Sequence, residues 1–250
     1  MKKVFVAILS IVFISGSFAQ DKDIRFGLSA TPSLNWYKPE NVQKYDSKGL
    51  GLGFGWGLDV EFKITDIATF ATGLKINYDR GGITFKDSAG YELNKDSELV
   101  NDPNLNSTSF FLLENRSYRV NYVTIPFMVK MHTNEIGYMT YFGQFGLISS
   151  IKTKALANDA IMSPITKTQS NKEKLDINND VSLFRFQLSI GGGAEYNLSG
   201  STSLVFGVNY NLGFSNVLRK NSRHIVDMSG TAIRQNASAH NIALSVGILF

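Results

Sequence analysis

From residue 24 onward, apolar and polar side chains alternate with a period of two over most of the chain, which predicts strands and no convincing helix. In the first segment Ile24, Phe26, Leu28, Ala30, Leu34 and Trp36 share one parity and Arg25, Gly27, Ser29, Thr31, Ser33 and Asn35 the other. The second is GLGLGFGWGLDVEFKI, residues 49–64, where glycine fills the odd positions Gly49 to Gly57 and Leu50, Leu52, Phe54, Trp56, Leu58, Val60, Phe62 and Ile64 fill the even ones. Ala68 to Asp79, Tyr118 to Lys130, Tyr138 to Lys152, Phe184 to Asn197, Ser203 to Ser215 and Asn241 to Phe250 complete a set of eight expected strands. The fifth is ambiguous, because Phe142 and Ile148 fall on the opposite parity from Met139, Tyr141, Phe145, Leu147 and Ile151.

The connections alternate in length. Thr65-Asp66, Thr133 to Gly137 and Ser199-Gly200 suit tight turns. Tyr37 to Lys48, Gly81 to Ser117, Thr153 to Asp180 and Asn216 to Ala237 are long and polar. Short turns at one rim and long loops at the other describe an all-β, eight-stranded antiparallel up-and-down transmembrane barrel. An inverted, lipocalin-like barrel with apolar residues inside is the competing architecture. The polar parity is rich in glycine, which suits a crowded lumen, and the apolar parity is rich in Phe, Tyr, Trp and Leu, which suits a lipid-facing band.

The N-terminus changes the compartment. Lys2 and Lys3, the apolar run Val4 to Ile14 and the small residues up to Ala19 read as a secretory signal peptide over residues 1–19, leaving a barrel domain over 20–250. Removing the two lysines lowers the formal charge from +4 to +2, so nucleic acid is not an expected partner. The chain has no cysteine, which excludes a disulfide scaffold and thiolate chemistry.

Three stretches resemble the outer-membrane β-barrel proteins of Bacteroidota, the porin-like or PorT-like family. Tyr122-Val123-Thr124-Ile125-Pro126-Phe127-Met128-Val129-Lys130 is similar to the family's "YLEIPLLLK" segment, Asn209 to Val217 to "RYSLGLTNI", and Asn241 to Phe250 to "NRVFSLSLGYRF". Asn209 stands where the family has arginine and Thr124 where it has glutamate, so a lumen ion pair at those places is not carried over. The resemblance implies a fold and an outer-membrane location with both termini periplasmic, and no reaction.

Candidate chemistry lies first in the lumen. The inward parity collects Arg25, Asp59, Glu61, Lys63, Lys75, Asp79, Lys130, Arg185 and Glu195. An eight-stranded barrel is just wide enough for side chains to fill, and charges in low dielectric must pair. A closed, salt-bridged lumen with a structural or interaction role is therefore expected, in the manner of an accessory to secretion or surface assembly. The alternatives are a narrow-pore transport protein and an outer-membrane lipid-modifying enzyme. The enzyme reading needs a histidine with a serine or carboxylate at the outer rim. His132 is expected at the turn rim, His224 in a basic loop and His240 just before the last strand, and His240-Asn241-Ile242 lacks a His-x-Ser spacing. No catalytic residue, cofactor or metal is expected.

Outer-membrane lipids and lipopolysaccharide are expected partners, the latter through Lys154, Lys167, Lys172 and Lys174 of a loop read as a solvated face. A protein partner through the extracellular loops is a further expectation. Ile83-Thr84-Phe85 and Phe110 to Leu113 could extend two strands beyond the membrane as a hairpin, and Asp87-Ser88-Ala89 resembles an O-glycosylation acceptor. Leu244, Val246, Ile248 and Phe250 resemble the terminal signal read by the barrel assembly machinery. The glycines of residues 49–57 are expected to leave room for Arg25 and Lys75 to cross the lumen wall.

Overall fold

Antiparallel pairing of the long alternating segments produces a closed ring. In the computed structural model, which describes residues 24–86, 91–93, 110–163, 167–219, 225–226, 233 and 235–250, the long strands are β1 (Ile24–Pro39), β3 (Gly51–Thr65), β4 (Ala68–Phe85), β6 (Phe110–His132), β7 (Met139–Met162), β9 (Phe184–Ser199), β10 (Thr202–Gly213) and β12 (Ala237–Leu249). They pair in the order β1-β3-β4-β6-β7-β9-β10-β12, and β12 returns to β1 through pairs running from Gly27↔Leu249 to Pro39↔Ala237. Closure leaves no unpaired edge in the ring, the condition for strands to cross lipid. The short β2 (Tyr45–Ser47), β5 (Tyr91–Leu93), β8 (Gln169–Asp176) and β11 (Ile225–Val226) decorate the loop rim. No helix occurs among the described residues.

Ile24, Phe250 and the short turns lie at one rim. Gly200 adopts a left-handed φ of 57° in the β9–β10 turn, where a Cβ would be strained. The fifth segment is one unbroken strand: Phe142 and Ile148 point inward, Phe142 against the Lys130 ammonium, 4.2 Å from its ring centre. Along the ring's lower half the apolar parity faces out, with Leu58, Trp56, Phe127, Phe145, Phe206 and Leu244 all exposed.

Toward the loop rim the logic inverts. β7 carries an irregularity where Asn121 pairs with Lys154 but Tyr122 with Lys152, so Thr153 is extra and the parity of β7 switches. Beyond it the inward positions become Tyr118, Val120, Ala155, Ala157 and Ile161, all buried. A second irregularity between Leu113 and Asn115 switches β6, so Phe111 and Leu113 also turn inward. With Tyr37, Phe85, Ile177, Val181, Val217, Ile225 and Ala239 they form one apolar core.

One sequence reading changes here and another holds. The segment 153–180, read as a solvated face, is the upper part of β7 paired to β8, with Ala155, Ala157, Ile161 and Ile177 buried beneath it. The hairpin extension at Ile83 and Phe85 is present: β4 pairs with β6 as far as Thr84↔Asn115, and both apolar side chains join the core. The segment 1–19, Asp87-Ser88-Ala89 and His224 lie outside the described residues.

Candidate functional site

Alternation places every second side chain of all eight strands inside the ring, so the lumen is the one place where distant parts of the sequence meet. Near the turn rim Arg25 on β1, Glu61 on β3, Lys130 on β6 and Glu195 on β9 converge. Arg25 reaches Glu61 at 2.5 Å and Glu195 at 2.9 Å. Lys130 donates to Glu61 at 2.7 Å and also to Glu195. β3 and β9 stand on opposite walls of the ring, so two cations and two carboxylates bridge its full width with balanced charge. His132 lies at its edge, Nε2 3.1 Å from Thr69 Oγ1 and Nδ1 3.8 Å from Glu195.

Ligand atoms of Glu61, His132 and Glu195 all lie within 4.8 Å of one another, the spacing of a metal site. The Lys130 ammonium already sits between the two carboxylates, so the cation there is the chain's own. A polar cavity of about 390 Å³ opens on the turn-rim side, lined by Arg25, Lys63, Thr69, His132, Thr140 and Glu195 among others.

The middle of the lumen is uncharged but for one pair. Lys75 bonds Asp59 at 2.8 Å and extends to Ser29 Oγ at 3.0 Å. Ser29, Gly57 and Lys75 are register partners across β1, β3 and β4, so the lysine reaches over Gly57, as its spacing suggests. Arg25, by contrast, faces Glu61 and crosses no glycine. The space at Gly53 and Gly55 is filled by neutral side chains: an added Cβ would lie 2.2 Å from Asn35 Nδ2 at Gly53 and 2.3 Å from Asn77 Oδ1 at Gly55. Asn209 takes a hydrogen bond from Gln144 at 2.5 Å, and Thr124 bonds Asn77 at 3.1 Å and Ser150 at 3.0 Å. These amides and hydroxyls surround a cavity of about 150 Å³.

Toward the loop rim Arg185 on β9 bonds Asp79 on β4 at 2.5 Å and lies over the ring of Tyr122, 3.9 Å from its centre. Above it Arg116 and Asp159, directly paired across β6 and β7, make a two-pronged contact at 2.7 and 2.5 Å, with Asp180 at 3.8 Å from the same guanidinium. Burial pushes the Tyr118 hydroxyl well above the ordinary phenol range, consistent with its place in the apolar core.

Of the nine expected lumen charges, eight meet inside: Arg25, Glu61, Lys130 and Glu195 in one group, Asp59 with Lys75, and Asp79 with Arg185. Lys63 departs from the expectation. It reaches Asp66 across the β3–β4 turn at 3.0 Å, where both side chains are open to solvent. Sequence reasoning missed Arg116 and Asp159. Their signal is present, since Arg116, Tyr118, Val120 and Tyr122 continue the inward parity of β6, but it reads as loop when apolar residues are assumed to face out.

His240 is a member of β12, not a residue ahead of it. Its Nε2 lies 2.9 Å from Ser238 Oγ and its ring stacks on Trp36 at 6.0 Å. Among the described residues its Nδ1 has no hydrogen-bond partner, so a serine–histidine pair is present without the acid that would orient it. Leu244 and Val246 on the last strand and Phe250 just after it face outward and are exposed, with Ile248 half-buried, and the Phe250 amide donates to Phe26 O at 2.8 Å.

A closed antiparallel ring with an apolar exterior and a charged, polar interior defines an outer-membrane β-barrel. Residues 18–219 match the family described as outer membrane protein beta-barrel domain, and the chain belongs to it. Its location is accordingly the outer membrane. No curated protein matches the chain. Among solved structures it is similar to Neisserial surface protein A (12% identity, covering 90% of this chain and 95% of that one, TM-score 0.38). It is also similar to OprG from Pseudomonas aeruginosa (9%, 94% and 99%, 0.42) and to Ail, the attachment invasion locus protein of Yersinia pestis (10%, 92% and 100%, 0.35).

Proposed function

We propose that this protein is an outer-membrane barrel with a sealed lumen, whose role is structural or interactive and not catalytic, with its termini and short turns in the periplasm and its loop rim outside. One observation carries the reading: Arg25, Glu61, Lys130 and Glu195 join opposite walls of the ring with no net charge. A permeant ion would have to part four charges held in low dielectric, each of which is costly to leave unpaired. The buried apolar core over the other end supports the same reading. Single-channel recording on the pure, folded protein tests it. No steady conductance of porin size is expected; a steady conductance would overturn the sealed lumen and establish the narrow-pore transport reading.

The strand motifs around Tyr122 and Asn209 support kinship with the PorT-like proteins of Bacteroidota and a role beside secretion or surface assembly. Crosslinked pull-down from native outer membranes would identify partners reaching either rim. The outward residues Leu244, Val246 and Phe250 support recognition of the last strand by the assembly machinery. Phe250→Ser should then reduce the amount of folded protein in cells, and undiminished assembly would count against that recognition.

A further inference from the structure

We infer that Arg80, Arg119 and Lys154 form a binding site for the phosphate of a lipid head group in the leaflet bordering the loop rim. The three sit on adjacent strands, face outward and are exposed. Arg80 and Arg119 are direct register partners across β4 and β6, and Lys154 faces Asn121, two residues from Arg119, across β6 and β7. Side chains so placed reach one another, and like charges directly opposite repel unless an anion lies between them.

None of the three makes a side-chain hydrogen bond or ion pair among the described residues. Inward-facing arginines of this chain, such as Arg25, Arg116 and Arg185, are all paired. The carboxylate on the same row, Asp176 on β8, is two strands from Arg119 and accepts the Asn178 amide at 2.9 Å.

Height on the barrel selects a lipid as the source of the phosphate. Toward the turn rim the outward residues become apolar: exposed Tyr78 one step below Arg80, exposed Ile151 below Lys154 and, on β6, Val123 two steps below Arg119, after Asn121. One step the other way β6 turns inward-apolar at Tyr118 and Val120 and outward-polar at Ser117. The cations therefore ride the boundary where acyl chains end and head groups begin. Guanidinium groups bind phosphate oxygens in pairs, and a neighbouring ammonium adds a point charge. Basic patches at this level are the means by which membrane proteins select phosphorylated lipids.

The inference rests on the membrane reading above but not on the sealed lumen. The full-length folded barrel is analysed by native mass spectrometry from micelles doped with phosphorylated lipid A, with its dephosphorylated counterpart, or with inorganic phosphate as competitor. Wild type should retain the phosphorylated form about tenfold over the dephosphorylated one. The triple variant Arg80→Gln, Arg119→Gln, Lys154→Gln should lose that preference, while Lys167→Gln with Lys174→Gln keeps it. Equal retention by the triple variant, equal retention of the dephosphorylated lipid, or complete displacement by inorganic phosphate would each overturn the site. Heat-shifted gel mobility checks folding in every sample, and if the triple variant fails it, Arg119→Gln alone should shift in the same direction. A conducting lumen would leave this result untouched, and loss of the lipid preference would leave the lumen reading untouched.

Discussion

The two halves of this barrel solve opposite problems with the same strands. In the half near the turns, lipid solvates the apolar parity, so the interior is free to be polar and its stability comes from matched charges and amides. In the half near the loops, water surrounds the strands, and the interior is apolar, with Tyr118, Val120, Phe111, Leu113 and Ile161 fully buried. Each such side chain contributes about 1.5–3 kcal/mol by leaving water. β6 and β7 traverse both halves, and the irregularity at Thr153 is the device that changes which face of β7 is inside. The solvent outside thus decides what the inside must be.

That contrast can be broken most severely in the loop half. Asp159→Ala would take from the buried Arg116 its two-pronged carboxylate partner, at a cost of about 3–5 kcal/mol. Hydrogen exchange should show the upper parts of β6 and β7 losing protection while the lower ring keeps its own. Replacing both partners, Arg116→Met with Asp159→Leu, should recover most of that loss, because an apolar pair suits this half. The equivalent test in the lipid half is Glu195→Gln. Glu61 must then serve both Arg25 and Lys130, with a loss of about 2 kcal/mol read as a lower unfolding temperature.

Glycine substitutions sharpen the picture of the lumen wall. At Gly57 an added Cβ meets backbone, 2.2 Å from Leu74 O and 2.6 Å from the Lys75 Cα, whereas at Gly55 its first neighbour is the Asn77 amide. Gly57→Ala should cost about 1–3 kcal/mol in thermal unfolding, and Gly55→Ala less, because the Asn77 side chain can swing aside. The smallest effect is expected at Lys63→Gln, whose partner Asp66 is almost fully exposed. Its unfolding temperature should match wild type, and a loss comparable to that of Glu195→Gln would return Lys63 to the lumen group.

The lipid half was legible from sequence because one rule, apolar out and polar in, holds for nearly all positions there, and its charges then fall on a single parity. Phe142 and Ile148 broke the rule for a local reason: they face inward to pack within the lumen, Phe142 under Lys130. The loop half was illegible because the rule reverses where lipid ends. Tyr118, Val120 and Tyr122 sit on the parity labelled polar, and single extra residues in β6 and β7 flip the alternation again. The pairing of Arg116 with Asp159 depends on a register that neither segment reveals alone.

The loop-half core draws Tyr37 from β1 and Ala237 and Ala239 from β12, the two strands whose pairing closes the ring. Glu40 N also bonds Asn236 O at 2.9 Å across that same seam. This makes the core a clasp on the barrel's last closure. It cannot assemble until the ends have zipped together, and once assembled it must come apart before they can separate. The lifetime of the folded protein in the membrane is then governed by how slowly a water-facing structure opens, although the strands it secures are held in lipid.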